Sequence, residues 1–149
     1  MAALLIAVIY LAFISLGLPD SLLGSAWPSM RIVFDVPSSF AGYVSMTICL
    51  MTIISSLISP TLIKKIQTKW IVIFSILLTI IGLLGFSFSS KYWMLFIFAI
   101  PYGLGAGSID AALNHYVALN YSSRVMNFLH CFYGIGAVIS PNIMSIALR

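Results

Sequence analysis

Five long apolar stretches constrain this 149-residue chain more than any other feature. A helix needs roughly 20 mostly apolar residues to cross a bilayer, because its backbone polar groups must be satisfied within the segment. The stretches that meet this length are residues 2–30, 40–63, 70–88, 92–119 and 126–148. The breaks between them are short and polar, which places consecutive helices antiparallel. The sequence therefore predicts an all-α fold, a multi-pass bundle of transmembrane helices.

The scarcity of charge supports the same conclusion. Only 7% of the residues are Asp, Glu, Lys or Arg, whereas a soluble domain carries about 25%. This composition excludes a soluble protein and makes the lipid bilayer the expected partner. The seven basic residues are spread along the chain and form no patch, so no nucleic-acid partner is expected. Cys49 and Cys131 lie in apolar runs, which predicts small buried hydrophobic residues and not a disulfide or metal site.

The basic residues in the breaks predict an orientation. Those in the second and fourth breaks, which must share one side of the membrane, are Lys64, Lys65, Lys69 and Arg124. Arg31, Lys91 and the terminal Arg149 belong to the opposite side. Since cytoplasmic loops carry the excess of Lys and Arg, we expect a cytoplasmic N-terminus in the cell membrane.

Two of the three acidic residues, Asp20 and Asp110, lie inside apolar stretches. A carboxylate at bilayer depth costs at least about 2.5 kcal/mol, so it normally faces a cavity or a partner and marks a functional pathway. Burial disfavours the charged form of a carboxyl group, so such a group can exchange a proton near neutral pH. Both residues are candidates for proton coupling. The alternative is that either one caps a broken helix end or faces an aqueous mouth.

The two acids also occupy similar positions. Each lies about 27 Å along its helix, among glycines and other small residues. In transporter halves built from three-plus-three inverted repeats, the first and fourth helices are equivalent. This arrangement predicts that Asp20 lies toward the outer side of the midplane and Asp110 toward the inner side, which suits alternating access.

Other polar side chains are candidates for substrate binding. Asn114 follows Asp110 by one turn, and Asn127 and His130 are three residues apart, so each pair shares a helix face. Their amide and imidazole groups can bind the hydroxyls of a polar solute, and Trp27 could stack on a sugar ring. The alternatives are interhelical hydrogen bonds and, for Trp27, an interface anchor.

The glycines of the fourth stretch predict close helix packing. Gly103, Gly105 and Gly107 are spaced like a phosphate-binding loop, but no strand precedes them. Gly103 and Gly107 have the small-xxx-small spacing that lets two membrane helices approach each other.

The stretch from Gly103 to Pro141 resembles helices four and five of the major facilitator superfamily, and it is most similar to the fucose:proton symporter and related sugar transporters. The shared pattern is a Gly-rich fourth helix, an acid followed four residues later by Asn, and then Asn, a polar residue and a Gly-Ala pair. The residues that fill these positions are Asp110, Asn114, Asn127, His130, Gly136 and Ala137. Asp20 matches the acid of the family's first helix.

The resemblance implies a secondary active transporter that uses alternating access, most simply a proton-coupled symporter of a sugar or similar small polar solute. It implies no enzymatic activity, and no cofactor beyond a coupling proton. A complete member has about twelve helices, so residues 1–149 would be five spans of the N-terminal six-helix half. The remaining helices would then be a partner of this segment.

Departures from the family pattern leave two alternatives open. The loop from Ser59 to Lys69 lacks the usual acid and glycines. His130 stands where the fucose symporter has Gln, so the resemblance does not identify the substrate of this chain. A drug:proton antiporter of the same superfamily usually carries G-x-x-x-G-P in its fifth helix, and Gly136 to Pro141 keeps half of that motif. The other alternative is a non-transporting membrane protein or assembly partner.

Overall fold

The structure is a computed structural model that describes residues 2–147. It contains five helices, α1 (Ala2–Phe34), α2 (Phe40–Lys65), α3 (Thr68–Phe88), α4 (Tyr92–Asn120) and α5 (Ser123–Ala147). All five are long and apolar enough to cross a membrane, and the described residues contain no strand. The predicted all-α transmembrane fold is confirmed.

The helix boundaries differ from the predicted ones by a few residues. The largest difference is at the end of α1, which continues through Pro19 and Pro28 to Phe34. A proline removes one backbone hydrogen bond, but membrane helices tolerate it because neighbouring groups satisfy the freed carbonyl. The helix ends where Asp35 adopts a φ of 52°, a left-handed conformation that Asp accepts more readily than most residues. The predicted end of the last span at residue 148, and Arg149, lie outside the described residues.

The chain divides into two compact units. The first, here called the α1–α5 unit, joins α1 as far as Met30 to the chain from Val117 through α5. The second, the α2–α4 unit, spans Arg31–Tyr116. Each unit has its own seam of small residues, and each is described separately below.

In the α2–α4 unit, glycines bring α4 against the backbone of α2. A Cβ atom on Gly103 would lie 2.6 Å from the carbonyl oxygen of Ile48, and one on Gly107 would overlap the backbone of Thr52. The predicted close packing of these two glycines is therefore confirmed. Both members of these contacts advance by four residues along the chain, so α2 and α4 run parallel.

Hydroxyl groups reinforce this seam. The Ser55 hydroxyl donates to the carbonyl oxygen of Leu104 at 2.6 Å and also contacts the hydroxyl of Ser108. Ser56 donates to the carbonyl oxygen of Gly107 at 3.3 Å. Because interhelical hydrogen bonds in membranes contribute about 0.6 kcal/mol each on average, these hydroxyl groups add a modest stabilisation to the close packing of the two helices.

On another side of α4, α3 packs in the opposite direction. Gly105 fits against the carbonyl oxygen of Ser75, and Gly82 fits against Tyr102. Since the α3 residue number rises as the α4 residue number falls, the two helices are antiparallel, as their short connection requires.

In the α1–α5 unit, two glycines on opposite helices make the close contacts. A Cβ atom on Gly17 would overlap the carbonyl oxygen of Tyr133, and one on Gly136 would overlap the carbonyl oxygen of Ile14. The aromatic ring of Tyr10 stacks on Phe132, with 4.6 Å between ring centroids. These contacts hold α1 and α5 side by side. Between the contact of Tyr10 with Phe132 and that of Ser21 with Ala137, the residue numbers rise along both helices, so α1 and α5 run parallel.

The expectation that Cys49 and Cys131 are buried is wrong, because both are exposed in the structure. Large apolar side chains are exposed as well, for example Leu57 at 73% and Val138 at 70%. Lipid solvates the apolar surface of a membrane bundle, so an apolar surrounding sequence does not predict burial against protein.

Candidate functional site

The candidate residues of α4 form a hydrogen-bonded pair. Asn114 Nδ2 donates to Asp110 Oδ1 at 3.0 Å, across the four-residue spacing that brings side chains together on one helix face. Asn114 Oδ1 is buried and has no hydrogen-bond partner among the described residues. A buried amide oxygen without a donor is uncommon in proteins. This oxygen can accept a hydrogen bond from a water or a solute hydroxyl once neighbouring side chains move to admit it.

The α2–α4 seam fixes the position of this pair. Gly103, Gly107, Asp110 and Asn114 are spaced by four, three and four residues, which places them on one stripe of α4. The first half of the stripe packs against the α2 backbone, and the second half carries the polar pair. Gly107, whose contact with the α2 backbone is described above, thus lies one turn before the carboxylate.

Asp110 is the only Asp, Glu, Lys or Arg residue of the 29-residue helix α4. Its helix therefore supplies no Lys or Arg to pair with the carboxylate, and His115 is the one residue of α4 that can carry a positive charge.

The acid of α1 has an aromatic partner on α5. Tyr133 Oη donates to Asp20 Oδ2 at 2.6 Å, a length typical of a hydroxyl bound to a carboxylate. The Asp20 side chain itself is exposed. Tyr133 was not among the predicted site residues. The spacing of Asn127, His130 and Tyr133 by three residues is a signal for it, since it extends the predicted polar face by another turn.

The other candidate residues of the α1–α5 unit lie in different surroundings. Asn127 and His130 are both exposed. The His130 imidazole meets the ring of Phe13 edge-on, with 6.1 Å between centroids. Trp27 is only 6% exposed, so a solute reaches its ring only after neighbouring side chains move. The substrate-binding roles of these three residues stay predictions.

The fold and the polar groups within its spans define a multi-pass helical membrane protein with ionisable residues inside its candidate spans. The family model of the Major Facilitator Superfamily matches residues 9–148 of this chain. The chain therefore belongs to that superfamily, whose members are membrane transporters. No curated protein and no solved structure matches it.

Proposed function

We propose that this chain serves the proton-coupled symport of a sugar or a similar small polar solute by alternating access. Membership of the Major Facilitator Superfamily supports transport. The observation that carries the finer proposal is the hydrogen-bonded pair Asp110–Asn114 on an apolar helix. It combines a group that can take up a proton with an amide oxygen that still lacks a donor.

In this mechanism, Asp110 takes up a proton from one side of the membrane and releases it on the other. Protonation neutralises the charge within the span and lets the loaded carrier reorient, because moving a neutral group through a low-dielectric region costs far less than moving a carboxylate. Asp20 is the second candidate for proton coupling. Asn114 Oδ1 accepts a hydrogen bond from a hydroxyl of the solute, which couples solute binding to the state of Asp110.

The test measures proton movement during solute addition. Cells that produce the carrier from its complete reading frame are suspended in a weakly buffered medium, and a panel of sugars is added under deenergised conditions. We expect one class of sugar to raise the external pH, and we expect a protonophore to abolish the signal. Efflux of lipophilic cations without sugar-driven alkalinisation would favour the drug:proton antiporter instead. The absence of both activities would contradict the proposed function.

The proposed orientation, with a cytoplasmic N-terminus in the cell membrane, has its own test. In a background where Cys49 and Cys131 are replaced by Ser, a cysteine is introduced at Gln67 or at Ser90, which lie in successive connections. A membrane-impermeant maleimide should label Ser90→Cys in intact cells, and Gln67→Cys only after permeabilisation, because the basic α2–α3 connection stays inside. The opposite labelling pattern would reverse the proposed orientation.

A further inference from the structure

We infer that the connection between α2 and α3 binds the headgroup of an anionic phospholipid, whose acyl chains lie against the apolar surface of the same two helices. This inference concerns lipid binding and goes beyond the proposed transport function. It starts from three lysines within six residues, Lys64 and Lys65 in the last turn of α2 and Lys69 in the first turn of α3. All three side chains are exposed.

No carboxylate neutralises the three lysines within their own segment, because the stretch from α2 through α3 contains no Asp or Glu. The two acids of the α2–α4 unit lie at other levels. Asp35 precedes the start of α2, which is about 36 Å along the helix from Lys64. Gly107 packs against Thr52, and Asp110 follows one turn later, at a level about 14 Å before Lys64 on the parallel helix α2. The charge of the three lysines is therefore open to an external anion.

Trp70 places this charge beside the apolar surface of α3. Lys69 Nζ lies 5.8 Å from the centroid of the Trp70 ring, within the range of a cation–π contact. The same ring lies 6.4 Å, between centroids, from that of Phe74, one turn farther along the helix. Both rings are exposed, Trp70 at 47% and Phe74 at 60%. Because tryptophan is favoured at the membrane–water interface, we expect the three lysines at the level of the lipid phosphates.

Exposed apolar side chains continue from this aromatic pair along both spans. They include Ile73, Leu77, Ile81 and Leu84 of α3 and Leu57 and Ile58 of α2. Three lysines are too few for a nucleic-acid surface, and a soluble acidic protein would meet only the lysines, because lipid covers the apolar side chains. A phospholipid covers both, with its phosphate at the lysines and its acyl chains against the apolar surface. An anionic headgroup is favoured over a zwitterionic one, because it carries no positive group that the lysines would repel.

The experiment measures which lipid contacts Trp70. The carrier, produced from its complete reading frame, is reconstituted in phosphatidylcholine vesicles with an equal small fraction of either brominated phosphatidylglycerol or brominated phosphatidylcholine. Bromine quenches the fluorescence of a tryptophan that it contacts, and the contribution of Trp70 is the part absent from Trp70→Phe. We expect the anionic lipid to bind about fivefold more tightly than the zwitterionic lipid, the preference that the attraction of a single lysine supplies, or to exceed that factor.

Two variants with the same change in net charge distinguish a site from a general effect of charge. The first variant replaces the three lysines of the connection by Gln. The control replaces by Gln three exposed basic residues outside this connection, namely Arg31, Lys91 and Arg124. We expect the first variant to lose the preference, so that the two brominated lipids quench Trp70 equally, and the control to keep it.

Equal quenching by the two lipids in the unmodified carrier would overturn the inference. An unchanged preference in the lysine variant, or an equal loss in the control, would do the same. A salt titration of the unmodified carrier needs no substitution. Raising the salt concentration from about 0.1 M to about 1 M shortens the Debye length from about 10 Å to about 3 Å, so the preference should fall severalfold, and a preference that does not change with salt would contradict binding by the lysines.

Replacing the three lysines by Arg keeps their charge and should keep the preference, whereas its loss in this variant would contradict recognition by charge. None of these measurements involves a solute or a proton gradient. The lipid site can therefore fail while the proposed transport function holds, and the reverse is also true.

Discussion

Asp110→Asn is expected to abolish uphill accumulation of the solute while leaving solute exchange intact. Asparagine has nearly the same shape as aspartate, and its Oδ1 can still accept the hydrogen bond that Asn114 Nδ2 donates to Asp110 Oδ1. It cannot gain or lose a proton, so the membrane-embedded position stays neutral throughout the cycle. A permanently neutral residue allows the loaded carrier to reorient, which is all that exchange requires, but it disconnects reorientation from the proton gradient.

The expected loss is large. A gradient of one pH unit corresponds to about 1.4 kcal/mol, or a tenfold accumulation. The Asp110→Asn variant should lose this tenfold accumulation entirely, so that the solute concentrations inside and outside become equal. The measurement is uptake of labelled solute into energised proteoliposomes, with counterflow in the same preparation as the assay of exchange.

The matched control for this experiment is Asp35→Asn. Asp35 is the third acidic residue of the chain, but it is exposed and follows the end of α1. The same chemical change at this position should leave accumulation unaltered. Accumulation by Asp110→Asn at the level of the unmodified carrier would refute the coupling role of Asp110, whatever the exchange rate.

The second large effect concerns the seam that positions Asp110. Gly107→Ala should destabilise the folded protein by about 1–3 kcal/mol, the usual cost of overpacking. The added methyl group would overlap the main chain of Thr52, which cannot rotate away as a side chain could. Relief requires α2 and α4 to separate, which also weakens the hydrogen bond between Ser56 and the Gly107 carbonyl. The measurement is the midpoint of thermal unfolding of the purified carrier in detergent.

Gly42→Ala controls for the chemical change itself. Gly42 belongs to α2 of the same unit, and a Cβ atom there would have nothing within 4 Å. Alanine favours helix over glycine, so this control should be neutral or slightly stabilising. Equal stability of the Gly107→Ala and Gly42→Ala carriers would contradict the close contact between Gly107 and the main chain of Thr52.

The close packing of α4 was predictable because it depends on a short local pattern. Gly103 and Gly107 are four residues apart, and in a membrane helix this spacing produces a flat surface whatever the partner is. The closeness of Asp110 and Asn114 was predictable for the same reason, since residues four apart are neighbours on one face of a helix. Neither prediction needed the identity of the facing helix.

The environment of the cysteines and the hydrogen-bond partner of Asp20 could not be predicted from the sequence. Cys49 and Cys131 are exposed although they lie in apolar runs, and Tyr133, not a predicted site residue, donates to Asp20. When nearly every face of a helix is apolar, hydrophobic periodicity no longer distinguishes the protein-facing side from the lipid-facing side. Prediction from one sequence then loses the signal that orients helices in soluble proteins.

By itself, the sequence determined that the chain is an all-α membrane protein with five spans. The reason is that span length and apolar composition are local properties, set by the thickness of the bilayer and by the need of each backbone to satisfy its own polar groups. Only the tertiary structure decided that α1 pairs with α5 through Gly17 and Gly136, and that the phenol of Tyr133 meets Asp20. Such contacts depend on how two helices turn toward each other, which is settled by the fit of their surfaces and not by the sequence of either helix alone.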